Sequence, residues 1–151
     1  MKVSKDTIRV LSFFQEINQG VLIKTGNVLK TSGPQKNILA SATIQDVFPI
    51  DFGIYNLKGL LSAISLYKDD FELEFGDEKL EIKGRKNKSK TFYSYTDPSL
   101  IITPPEKFPD FSGKTIKFIL SNEDLDWVRE SASVLESPQI IIESDGDTIY
   151  L

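Results

Sequence analysis

Apolar residues recur at helical spacing from position 4 to position 18: Ile8, Leu11, Phe14 and Ile17 share one stripe, and Val10 and Phe13 widen it. Lys5, Arg9, Ser12 and Glu16 fall on the other side. Ser4 or Asp6 offers a side-chain oxygen to the free amide hydrogens at the start, and Gly20 follows the end, so the spacing predicts a helix over 4–18. Two short apolar runs, 21–25 and 27–32, flank Gly26-Asn27 and predict a hairpin turning there. Ile38, Ala40, Ala42 and Ile44 alternate with polar neighbours, which predicts a strand over 37–44. A further short strand near 50–55 leads to Asn56, a residue suited to an N-cap.

A second helix is predicted over 57–67, with Leu57, Leu60, Leu61 and Ile64 inward. Lys58, Ser62 and Ser65 form its polar stripe, and Lys68 follows. Gly59 inside this helix costs about 1 kcal/mol relative to alanine, which packing has to offset. Phe71, Leu73 and Phe75 alternate with Glu72 and Glu74, the chain turns near Gly76-Asp77, and Leu80 and Ile82 answer on the return: a hairpin. The basic turn Arg85–Lys90 precedes another strand over 91–95.

Residues 97–114 carry Pro98, Pro104, Pro105 and Pro109 without a sustained period, the pattern of a partly extended linker. Beyond it the order of elements starts again. A strand is predicted over 115–120 and a helix from Ser121 to about 136, with Asp124 placed for a capping box and Leu125, Val128, Ala132 and Leu135 inward. Two strands over 139–144 and 147–151 then join through Asp145-Gly146. The division is 1–96, a linker over 97–114, and 115–151. A sheet stopping in mid-strand leaves an unpaired edge, so the second unit reads as truncated.

Composition narrows the function. The chain of 151 residues has no histidine and no cysteine. That removes the usual general base near neutral pH, Ser-His-Asp chemistry, disulfides, thiolate catalysis and the His- and Cys-based metal sites. The N-terminal residues lack a signal-peptide apolar stretch and no apolar run is long enough to span a bilayer, so a cytoplasmic location is expected and membrane partners are not. The net charge of −4 speaks against a protein that grips nucleic acid over its whole surface. The charge is uneven: residues 1–114 hold 16 Lys/Arg against 14 Asp/Glu, and residues 115–151 hold two against eight.

Motifs for chemistry are scarce. Gly113-Lys114-Thr115 has the end of a phosphate-binding loop, but Phe108 stands where the first glycine is needed. Asp69-Asp70 and Asp145-Gly146-Asp147 suit a hard cation in residue type, yet they fall where a junction and a hairpin turn explain them. Trp127 and the pair Tyr93 and Tyr95 read as packing residues rather than as stacking platforms for bases. Lys5 with Arg9, and Lys58 with Lys68, leave two weakly basic helix faces that suit phosphate without reading sequence. The residues themselves lead to an α+β domain with a binding role.

Three collinear segments carry a resemblance. MKVSKDTIRVLSFFQEINQGVLIKTG at the start, IYNLKGLLSAISL at 54–66 and TDPSLIITPPEKFP at 96–109 are similar to the DNA polymerase sliding clamps of T-even-like bacteriophages. The resemblance implies a non-enzymatic processivity factor without cofactors, acting in the cytoplasm of an infected bacterium. It implies the clamp fold: domains of two helices packed on antiparallel sheets, here one such domain followed by the first part of a second. Full-length members form trimeric rings around duplex DNA, with a polymerase and a clamp loader as partners. Carried onto this sequence, it offers Lys2, Lys5, Arg9, Lys58, Lys68 and, on the weaker match, Arg129 as DNA-facing residues. It also puts Ile101, Ile102, Pro104 and Phe108 near a groove for partner tails, as anchors or as fasteners of the linker. The competing reading is a phage interaction domain that shares the fold and never encircles DNA.

Overall fold

The computed structural model describes residues 1–68, 70–85, 88–108 and 118–150. Asp69, Lys86-Asn87, Gly113-Lys114-Thr115 and the opening of the strand expected over 115–120 lie outside the described residues. The chain divides into two compact units, Met1–Phe108 and Pro109–Leu151.

The first unit opens with α1 (Lys5–Ile17), and Ser4 is its N-cap, accepting from the Thr7 amide at 3.2 Å. Asp46 joins this cap, accepting from the Ser4 amide at 2.8 Å and the Ser4 hydroxyl at 2.7 Å. The buried face of α1 is Thr7, Leu11 and Phe14. Phe13 does not widen it: the residue is 59% exposed.

Strands β1 (Val21–Ile23), β2 (Gly26–Ser32), β3 (Leu39–Phe48) and β4 (Phe52–Ile54) follow. The expected turn at Gly26-Asn27 is absent: β1 pairs with β4, Val21 opposite Ile54, and β2 pairs with β3, Ser32 opposite Leu39. The two antiparallel ladders succeed one another along a single bent hairpin, whose turn lies at residues 33–38. Asp51 holds the bend. Its carboxylate takes the Lys24 ammonium at 2.7 Å, the Thr25 amide at 2.7 Å and the Thr25 hydroxyl at 2.9 Å. The bond from Lys24, with those from Thr25, pulls its pKa down to about 2. These contacts turn the chain where a tight hairpin was expected, and Gly26, at φ +113°, admits the left-handed backbone there. Ile38, in the loop, is 49% exposed and plays no part in the alternation expected of it.

Helix α2 (Leu57–Ser65) starts at its cap Asn56, whose side chain accepts from the Gly59 amide at 2.9 Å, and it buries Leu57, Leu60 and Ile64. Strands β5 (Phe71–Phe75), β6 (Lys79–Gly84) and β7 (Lys90–Ser94) form an antiparallel sheet with Leu73 opposite Ile82 and Leu80 opposite Tyr93. The two helices pack on each other and α1 on β2 and β3, around one core that includes Ile23, Leu29, Phe48, Ile54, Leu57, Leu80 and Ile82. Phe48, Phe52, Phe75 and Tyr95 meet edge-to-face or tilted, with centroids 5.2–6.1 Å apart. Tyr93 is structural too: its hydroxyl donates to the Asn56 carbonyl at 2.8 Å and accepts from the Asn56 amide at 3.1 Å.

In the second unit, residues 118–120 are irregular and α3 (Asn122–Val134) begins with the expected capping box of Ser121 and Asp124. The following strands are shorter than expected, β8 (Glu143–Ser144) and β9 (Ile149–Tyr150). Of the inward residues expected on α3 only Val128 is buried; Leu125 is 41% and Leu135 75% exposed, and Trp127 is exposed rather than packed. A two-residue ladder gives that apolar stripe too little surface to cover it.

Within the first unit, one close approach holds the segment after β7 against β4. Gly53 lies against Thr96, whose amide donates to the Gly53 carbonyl at 3.0 Å. A Cβ at Gly53 would stand 2.5 Å from the Thr96 carbonyl oxygen and 2.9 Å from Cδ1 of Ile101. Gly53→Ala should therefore destabilise the unit by about 1–3 kcal/mol, the usual cost of overpacking. Urea unfolding checks this; an unchanged midpoint would show that the 96–101 segment yields freely.

Candidate functional site

Two surfaces of the first unit collect the residues singled out in the sequence. The first spans the start of α1 and the end of α2. Lys2, Lys5 and Lys68 rim a cleft of about 420 Å³ whose walls include Val3, Ile8, Leu61, Ile64 and Phe71. The polar stripes of the helices continue from it. Arg9 follows Lys5 by four positions, hence on the same face of α1, and Lys58 is exposed in the first turn of α2. Lys68 has a left-handed backbone, φ +54°, which ends the helical run without a glycine. Arg129 belongs to the second unit, where it is exposed and 3.9 Å from Asp126.

The charges in the first unit are sorted. On the sheet of β5, β6 and β7, Lys83 pairs with Glu74, Lys90 with Glu81 at 2.7 Å, and Arg85 with Glu72 at 3.5 Å. Contact with Glu74 raises the pKa of Lys83, and that of Glu74 falls in return. On the helices, among the described residues, Lys2, Arg9, Lys58 and Lys68 have no carboxylate within ion-pair distance. Instead the Arg9 guanidinium sits 5.8 Å from the ring centroid of Phe13, an exposed aromatic that the pattern had assigned to the core. Lys83, Lys90 and Arg85 are neutralised locally, whereas Lys79 of β6 stands 4.3 Å from the Phe92 ring centroid; Lys2, Arg9, Lys58 and Lys68, on or beside the helices, remain available to an outside anion.

At the α1 N-terminus the Ser4 side chain and the Asp46 carboxylate already take the Thr7 and Ser4 amides. Burial works to raise the Asp46 pKa, but hydrogen bonds from Thr7 and Ser4 outweigh it and the net shift is downward.

The second surface runs along β1, β2 and the segment after the 3₁₀ turn Pro98–Leu100. Leu22, Lys24, Val28 and Lys30 face Thr103, Pro104, Pro105 and Glu106 across an open groove of about 600 Å³. Lys30 closes one end, donating to the Glu106 carbonyl at 3.1 Å and standing 5.5 Å from the Phe108 ring centroid. The four linker residues separate here. Ile101 is buried, 8% exposed, and fastens the segment beside Gly53. Ile102 is 41% exposed, Pro104 lines the groove, and Phe108 is half-buried.

Asn18, Leu22, Val28 and Lys30 contribute to this surface and had no signal in the sequence: they are remote along the chain from the segment that they meet, and only the topology joins them. Among the described residues no group of three or more acidic, histidine or cysteine side chains is arranged to hold a metal ion, and no helix is long and apolar enough to cross a membrane.

Comparison with known proteins finds the family described as DNA polymerase processivity factor over residues 4–103. The sliding clamp of Vibrio phage KVP40 is 33% identical over 148 residues, covering 97% of this chain and 66% of that protein. The sliding clamp of Enterobacteria phage T4 is 36% identical over 109 residues, and that of Escherichia phage RB69 35% over 111. Each covers 72% of this chain, which spans 47% and 48% of their lengths.

The Asp46 cap makes α1 acid-sensitive. A depressed carboxylate pKa stabilises the fold above the ordinary value of 3.8, and that contribution is lost as pH falls through the folded-state value. Urea midpoints measured from about pH 5 down to about pH 2 should therefore fall more steeply for the wild type than for Asp46→Asn. Parallel acid limbs would remove Asp46 from the account.

Proposed function

Because the chain belongs to the DNA polymerase processivity factor family, we propose that it supplies the first domain, and the opening part of a second, of a phage sliding clamp. Residues 1–96 form the first clamp domain, 97–114 the linker and 115–151 the partial second domain. The assembled ring, a homotrimer at full length, encircles duplex DNA and tethers the polymerase without catalysing a reaction. A clamp loader and the polymerase are its partners in the cytoplasm of the infected bacterium.

The sorting of charge carries this reading. A clamp needs cations that meet phosphate from one side only, and it must slide, which contacts to the phosphate backbone allow because they read no sequence. Lys2, Lys5, Arg9, Lys58 and Lys68 supply that face on the two helices, with Arg129 a further candidate in the second unit. Acids of the β5–β7 sheet neutralise Lys83, Lys90 and Arg85, which favours attraction on the helix side of the first unit. The groove lined by Pro104, with Ile102 and Phe108 just outside its lining, is the place for a short tail of the polymerase, and Ile101 fastens its wall.

Binding to a short duplex, read by fluorescence anisotropy at low salt, should be weak and indifferent to sequence. Replacing Lys5, Arg9 and Lys58 together by alanine should flatten the plot of log K against log salt by about 2–3, near 0.9 for each phosphate that is no longer neutralised. Retention of the assembled clamp should last far longer on a circular plasmid than on the same plasmid linearised. An unchanged salt slope would remove the helix face from DNA binding; equal retention on the two DNA forms would overturn the ring.

A further inference from the structure

The groove wall from Ile101 to Glu106 has no strand of its own to hold it, yet it runs along β1 and β2. Three contacts pin it: Ile101 against Gly53, Lys30 on the Glu106 carbonyl, and one from the end of α1. The third is Asn18. This residue is the C-cap of α1, extended at φ −148° and ψ 136°, and its backbone amide donates to the Phe14 carbonyl at 2.9 Å. The side chain is buried. Its Nδ2 donates to the Ser32 carbonyl at 2.9 Å and to the Ile102 carbonyl at 3.1 Å, while its Oδ1 accepts from the Gly20 amide at 3.2 Å.

Both side-chain donors and the acceptor are therefore used, and on three separate segments: the end of β2, the linker and the turn before β1. The orientation of the amide follows from its partners, because two carbonyls face one end and an N–H faces the other. Ser32 is itself fully buried, so the carboxamide is anchored on an immobile group on one side and carries the linker on the other. Alanine, serine and aspartate at this position all lack two donors, and each would leave a carbonyl without its partner.

We infer that Asn18 is the positioning residue of the groove: its carboxamide holds the Ile102 carbonyl and so sets the wall against which a partner tail docks. The part concerning the tail rests on the function proposed above; the tether itself does not. Asn18 touches no tail itself, and it acts through Ile102 and the residues that follow. It also joins the two candidate surfaces, because the helix that it ends is the one that carries Lys5 and Arg9.

The tether is read first in the wild-type protein. Both Nδ2 protons of Asn18 should exchange with solvent at least ~10-fold more slowly than those of the exposed Asn56; exchange at an equal rate overturns the inference without any variant. In Asn18→Ala and Asn18→Ser, backbone order parameters at Ile102 and Thr103 should fall from about 0.85 to below about 0.6, with the middle of β2 and β3, away from Ser32, unchanged. Values that stay high overturn it.

Asn18→Asp supplies a readout that loss of packing alone would not move. Burial and the two facing carbonyls favour the protonated carboxyl, which regains one donor. Lowering the pH to about 5 should therefore restore order at Ile102 or at Ser32, whichever carbonyl takes the single donor, and leave Asn18→Ala unaffected at both; identical behaviour of the two variants counts against the tether. A labelled peptide with the tail of a phage polymerase should bind the wild type at least ~10-fold more tightly than Asn18→Ala. Equal binding overturns the positioning role. Failure of the wild type to bind overturns the groove reading, and the tether then stands or falls on the exchange and order measurements.

Discussion

The bend in the long β1–β4 hairpin is the constraint on which the rest of the first unit depends. A straight hairpin of this length would present one continuous face. Breaking it at residues 24–25 and 49–51 gives two short ladders, and the second ends directly at the cap of α2. Asp51 fixes the break with three hydrogen bonds from two consecutive residues, Lys24 and Thr25. It is an exposed group, so the strength of any one of these bonds is screened by water. Its importance is geometric: it satisfies the amide of a residue that has left one ladder and not yet entered the next. Downstream, β4 brings Gly53 beside Thr96, and the linker is laid over the unit from there.

The same economy of backbone partners explains where each charge sits. Lys83 and Glu81 alternate with the inward Leu80 and Ile82 on β6, and the acids opposite or diagonal to the lysines, Glu72 and Glu74 for Lys83 and Glu81 for Lys90, let ion pairs form without further cost in topology. Around Lys58 the positions three and four residues away are uncharged; around Arg9 they include one acid, Asp6, which forms no ion pair with it, and Glu16 lies too far along to serve. The scarcity of carboxylate partners on the helices is thus written into spacing.

Much of the first unit was legible in the amino-acid sequence, and the failures have specific causes. The helices were found because their stripes hold along their full length, and the β5–β6 hairpin because alternation on both arms agrees with its turn. Gly26-Asn27 misled because a local turn signal was opposed by a side chain, Asp51, that lies far along the chain. Phe13 misled because periodicity cannot tell an aromatic that packs inward from one that lies under an arginine. In the second unit the capping box was right and the buried stripe was wrong: a stripe shows which face is apolar, not whether a surface exists to cover it. For the site, the cations were readable since they sit on predictable helix faces. The groove was only half readable, because Asn18, Val28 and Lys30 reach it through tertiary contact.

Helix α1 also shows why these failures do not blur the functional argument. Its inner face, Thr7, Leu11 and Phe14, holds it to the core; its outer face carries Lys5 and Arg9; its end, through Asn18, holds the linker. These are three sets of residues on one rigid element, with no side chain serving two of them. A change on the outer face alters charge without entering the core, and a change at the inner face alters stability before it alters charge. Only at Asn18 do the frame of the unit and the groove share atoms, since the carboxamide that satisfies the Ser32 carbonyl also satisfies that of Ile102. Binding at the groove and packing at the end of β2 are therefore not independent at that position, whereas the cationic face, at the opposite end of the helix, is free to vary without them.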